Sequence, residues 1–89
     1  MTVYGPTGAV QTAAPHVVQG SVALSSGTAS VTFTGSAAFS GSTHFVCSAN
    51  DASNEVAIQV TNSSSGITLT GEDFGSDESD TVYYNCIGH

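Results

Sequence analysis

The chain has 89 residues, seven Asp or Glu, no Lys and no Arg, and a formal net charge of −7. That length holds one domain with a small core, so a disulfide, a metal or a neighbouring subunit is expected to help hold it together. A chain without cations cannot release counterions from phosphates, which excludes nucleic acid and anionic membrane surfaces as partners, and it also lacks the groups for Schiff-base, P-loop or arginine-clamp chemistry.

Residues 1–15, "MTVYGPTGAVQTAAP", show neither helical nor strand periodicity and carry both prolines, Pro6 and Pro15. They read as an extended N-terminal arm. Such an arm frays unless it lies on something, and another copy of the chain is the expected support. Met1 is not followed by the charged start of a signal peptide, and no apolar run is long enough to cross a bilayer. The chain as given is expected to be mature, or to leave the cell by lysis or another route.

From His16 to His89 the period is two, and this stretch reads as a single β-sandwich domain. Val22 and Leu24, then Val31 and Phe33, alternate with small polar residues on either side of Ser25–Gly27, which predicts a hairpin turning there. In "THFVCSA" Phe45, Cys47 and Ala49 share one face, with His44, Val46 and Ser48 on the other. The turn formers of "NDASN" follow. Val56, Ile58 and Val60 alternate next, and after "NSSSG" Ile67 and Leu69 repeat the pattern. The acidic stretch "GEDFGSDESD" precedes "TVYYNCIG", which puts Val82, Tyr84 and Cys86 inward and Tyr83, Asn85 and Ile87 outward. Six strands with Gly-rich turns and no helical pattern predict an all-β fold, a small six-stranded antiparallel β-sandwich.

Asp80, Val82, Tyr84 and Cys86 also spell the Asp-x-small-x-Tyr-x-Cys spacing of an immunoglobulin strand. That family calls for a core Trp and a further strand after the second Cys. The sequence has no Trp, and only Ile87, Gly88 and His89 follow Cys86. An immunoglobulin-like adhesion domain is therefore the third of three readings.

Cys47 and Cys86 both have inward parity, so they either form a bridge between strands or stay as two buried thiols. A bridge would stabilise so small a core by about 3–4 kcal/mol in the chain-entropy model. Zinc is not expected, because no second ligand pair stands at zinc spacing. Glu72, Asp73, Asp77, Glu78 and Asp80 crowd nine residues with no cation nearby. The plain reading is a solvated loop; the sharper one is a calcium site, with Asp73, Asp77 and Asp80 as candidates. No other cofactor is expected. His16, His44 and His89 are the only candidate bases, and no Gly-x-Ser-x-Gly elbow is present, so no enzyme activity is expected. Tyr4, Tyr83 and Ile87 are candidates for a subunit interface, and Tyr83 would equally serve as a stacking platform for a sugar ring. Asn62-Ser63-Ser64 fits the N-glycosylation pattern, which matters only in a secreted eukaryotic protein.

The stretch 20–88 resembles the six-stranded sandwich of H-type lectins and of the similar C-terminal domains on bacteriophage tail fibres. Three pieces carry the likeness: Val31-Thr32-Phe33 followed by Phe39; Val60-Thr61 with Gly66-Ile67-Thr68-Leu69; and the final Val82-Tyr83-Tyr84-Asn85-Cys86-Ile87-Gly88. The chain as a whole is similar to short Ser/Thr/Gly-rich phage virion proteins. The resemblance implies a homo-oligomer, a trimer by preference, on a virion surface or otherwise extracellular. Such a fibre tip or head decoration subunit would contact other virion proteins and the host. The second reading is an H-type-lectin-like module that binds a host surface glycan. The missing Lys and Arg leave the lectins' sugar-binding pattern incomplete, so none of its binding residues is carried across.

Overall fold

The computed structural model describes residues 1–11, 14–53, 57–71 and 79–89. It is all-β. Among the described residues the strands are six: β1 (His16–Ala23), β2 (Thr28–Thr32), β3 (Phe45–Asp51), β4 (Ile58–Asn62), β5 (Gly66–Gly71) and β6 (Thr81–Gly88). They form two three-stranded antiparallel sheets, in the orders β1-β6-β3 and β2-β5-β4. Inward side chains from both sheets meet in one core of Leu24, Phe33, Phe39, Phe45, Ile67, Leu69, Val82 and Cys86. The alternation expected for β6 is observed, with Val82, Tyr84 and Cys86 inward and Tyr83, Asn85 and Ile87 exposed.

The turn after β1 falls where its residues place it. Ser26 and Gly27 both have positive φ (52° and 80°), and Ser25 and Thr28 exchange backbone hydrogen bonds across them, the signature of a tight two-residue turn. The expected hairpin is nevertheless not a ladder, because β1 pairs with β6 and β2 with β5. The chain turns there from one sheet to the other. Val18 and Val22 thus pack against the core from one sheet, and Ala29 and Val31 from the other.

Two more departures have local causes. Asn50 and Asp51, expected in a loop, complete β3; the Asp51 carboxylate turns inward and accepts the Ser53 N–H at 2.7 Å, an Asx turn that ends the strand. Within the arm the chain doubles back once. Gln11 N–H donates to Val3 O and Gly5 N–H to Ala9 O, both at 2.7 Å, around the turn Gly5-Pro6-Thr7-Gly8. Pro6 presets one turn dihedral and Gly8, at φ 90°, supplies another.

The two ends of the sandwich differ in chemistry. One end holds the Ser25–Thr28 turn, Asp51 and Asp80. The other carries His16, His44 and His89 around a stack of rings. His16 lies on Phe39 (centroids 4.3 Å apart), Phe39 on Phe45 (4.4 Å), and Phe33 meets both edge-on. A single 3-10 turn, Gly35–Ala37, brings Phe39 into that stack.

Candidate interaction surface

The outward face of the β1-β6-β3 sheet is built in rows fixed by the strand register. Val17, Ile87 and Val46 form one row, Gln19, Asn85 and Ser48 the next, and Ser21, Tyr83 and Asn50 a third. None of these nine side chains is charged, although the chain carries seven carboxylates. The first row is apolar and stands in water, with Val17 48%, Ile87 41% and Val46 66% exposed. In the second row Ser48 Oγ donates to Asn85 Oδ1 at 2.6 Å, which orients the amide. In the third, Tyr83 is 54% exposed between a hydroxyl and an amide. Contiguous apolar side chains rimmed by neutral polar groups mark an interaction surface.

The arm reaches this face. Val3, Tyr4 and Gln11 line one groove together with Val46, Ile87 and His89. All three interface candidates are exposed, and the structure brings two of them, Tyr4 and Ile87, to the same groove; Tyr83 stands two rows away on the same face. Sequence reasoning missed Val17. The signal was available: two adjacent valines, Val17 and Val18, cannot both point inward from a strand.

Cys47 and Cys86 form a disulfide and lie opposite each other in the β3–β6 ladder. The bridge joins neighbours within one sheet, whereas the antibody-type disulfide crosses between sheets. The immunoglobulin spelling of β6 is thus a local coincidence, produced by a small core that needs a Tyr and a Cys on one face. Tyr84 fits because its opposite residue is Gly20; a Cβ there would lie 2.7 Å from the Tyr84 hydroxyl.

The histidine end is tightly knit. Ser40 N–H and Ser40 Oγ both donate to His89 O, at 3.0 and 3.1 Å, and His89 N–H donates to His44 O at 3.0 Å. Ser40 Oγ also contacts His44 Nδ1, and the His44 and His89 rings stack 4.8 Å apart. Among the described residues no Asp or Glu side chain is hydrogen-bonded to the Ser40–His44 pair. The nitrogens of His16 each face a backbone carbonyl, Nδ1 with Ala14 O at 2.6 Å and Nε2 with Ala37 O at 3.1 Å. His16 is thereby tied to the backbone, His44 to Ser40, and the His44 and His89 rings to each other.

Asn62 is a further residue whose role the sequence did not show. It faces inward at the end of β4, and its Nδ2 donates to Phe45 O at 2.9 Å and Ser42 O at 3.2 Å. The amide nitrogen that a glycan would occupy is committed to closing the edge of β3. Of the calcium candidates, Asp73 and Asp77 lie outside the described residues, as does Val56 on the approach to β4. Asp80 is described; its backbone carbonyl accepts the Leu24 N–H at 2.9 Å. Among the described residues no three His, Cys, Asp or Glu side chains are grouped to hold a metal. Nor is any helix there long and apolar enough to cross a membrane.

Comparison with known proteins finds no protein-family model, no curated protein and no solved structure that matches the chain.

Proposed function

We propose that the chain is a non-enzymatic structural protein on the surface of a bacteriophage particle, a fibre tip or head decoration subunit. In this reading it assembles with copies of itself and with other virion proteins, and it contacts the host. The observation that carries the reading is the outward face of the β1-β6-β3 sheet, uncharged in all three rows and crossed by Val17, Ile87 and Val46 beside the arm's Tyr4. Such a face is suited to burial against another protein. The Cys47–Cys86 bridge suits an oxidising, extracellular setting, and the resemblance of residues 20–88 to fibre domains supplies the particle.

Light scattering tests the assembly. The full chain is expected to be oligomeric. Removing Met1–Pro15, or the change Ile87→Asp, is expected to lower the mass of the oligomer and leave the β-type circular dichroism spectrum unchanged. A full chain that stays monomeric at every concentration overturns the assembly reading. Mass spectrometry of purified phage particles tests the location, and absence of the protein from the particles overturns it.

A second reading is favoured by a different part of the same face. Tyr83 stands among Gln19, Ser48, Asn50 and Asn85, a ring surrounded by neutral donors and acceptors. That is the chemistry of a sugar platform. Saturable binding to one sugar family on a glycan array, lost in Tyr83→Ala, is the expected result if the protein is a glycan-binding module.

A further inference from the structure

The sandwich has four edge strands, and they are not equally protected. β1 is the longest, with eight residues, against seven in β3 and five each in β2 and β4. Exposed edges are normally blunted by Lys, Pro, a bulge or a covering group. Within β1 there is no Pro, no Lys, no Asp or Glu and no positive φ, and its register with β6 runs unbroken from His16 to Ala23. β3, by contrast, has its edge carbonyl at Phe45 taken by Asn62 Nδ2.

The ladder fixes which backbone groups of β1 are free. Leu24 N–H donates to Asp80 O, one step beyond the Ala23–Thr81 pair, so the even-numbered residues of β1 bond to β6. In an antiparallel ladder these alternate with residues that face away. Val17, Gln19, Ser21 and Ala23 therefore aim their N–H and C=O groups out of the sheet. Among the described residues none of these groups appears in a turn, loop or cap hydrogen bond.

We infer that β1 pairs antiparallel with β1 of a second copy, about a two-fold axis beside Gly20, to join two three-stranded sheets into one of six strands. This rests on the reading that the chain self-assembles, and it specifies how. The pairing sets Val17 against Ala23 of the partner subunit and Gln19 against Ser21 of the partner subunit, so that each outward N–H meets an outward C=O. Charge selects this geometry over the three-fold one that the fibre resemblance implies. Asp51 and Asp80 lie at one end of the sandwich, in a chain of net charge −7. A parallel assembly gathers those ends together. The antiparallel pair holds them apart by the length of an eight-residue strand, roughly 25 Å at about 3.3 Å per residue, well beyond the Debye length of about 8 Å in physiological salt.

The test is the mass of the full chain and of Gln19→Pro by sedimentation equilibrium. Proline at 19 deletes an outward N–H and leaves the bonds to β6 intact. The expected result is an oligomer with an even number of chains for the parent and half that mass for a folded Gln19→Pro. Hydrogen exchange on the unaltered chain gives an independent reading, with the amides of Val17, Gln19, Ser21 and Ala23 slowing as concentration rises. A Gln19→Pro chain that keeps the parent's mass while Ile87→Asp lowers it overturns the β1 pairing and leaves the proposed function standing. Edge amides that exchange freely in an oligomeric sample also overturn it. A parent chain that is monomeric throughout overturns the pairing and the assembly reading together.

Discussion

Cys86 is almost completely buried on the central strand of its sheet, and its partner Cys47 is the residue directly opposite on β3. The bond closes a loop across 39 residues of sequence, which in the chain-entropy model stabilises by about 3–4 kcal/mol. The double change Cys47→Ala with Cys86→Ala is expected to lower the unfolding free energy by about that amount in a urea titration, and a reductant is expected to do the same to the parent chain. An unchanged midpoint would show that packing alone holds β3 to β6. Individual residues were legible in the sequence where parity decided them, as for Cys47, Cys86, Tyr83 and Ile87. Asn62 was not. Its position in a turn-rich stretch signals a loop or a glycan acceptor, whereas its role depends on the Phe45 carbonyl, seventeen residues away, being brought within reach by folding.

At the scale of elements the period of two was sufficient to find the six strands, because apolar and polar residues alternate along them, even in β5, where no residue is exposed. It was silent on which strands pair. Ser25–Gly27 has the residues of a tight turn, and turn chemistry specifies a reversal without fixing whether the reversal lies in the plane of a sheet or folds over its edge. Pairing is instead enforced where backbones approach closely. A Cβ on Gly88 would run into the His44 carbonyl oxygen, which is backbone and cannot swing aside, whereas one on Gly20 would meet only the tip of the Tyr84 side chain. Gly88→Ala is accordingly expected to destabilise by roughly 1–3 kcal/mol or more. Gly20→Ala is expected to change stability by less than about 1 kcal/mol, since relief of glycine's backbone entropy offsets the shift of Tyr84. Thermal melts of the two variants side by side check this; equal losses would mean that Tyr84 is as fixed as the backbone.

At the scale of the molecule, seven carboxylates without one Lys or Arg leave no cationic side chain but histidine to balance them. Added salt therefore has mainly repulsion to screen. The melting midpoint is expected to rise between 10 mM and 150 mM NaCl, where the Debye length falls from about 30 Å to about 8 Å, each kcal/mol appearing as roughly 4–8 °C in a domain of this size. A fall would mean that attractive charge pairs dominate. Calcium at matched ionic strength separates the two readings of the acidic stretch. A further rise, reversed by chelator, supports ligation by Asp73, Asp77 and Asp80; no change supports a solvated loop.

The position of β6 in the topology has a consequence in time. It follows the other five strands in sequence and is the middle strand of its sheet, so β1 and β3 have no neighbour to pair with until it arrives. Of the six described strands, β4 and β5 alone pair with their neighbour in sequence, around Ser63–Gly66. During synthesis that hairpin and β2 can associate early, while His16–Ala23 waits through more than half the chain for its partner. Contacts so distant in sequence make folding slow, and the strand left waiting is the same uncharged β1 whose edge stays open in the finished fold.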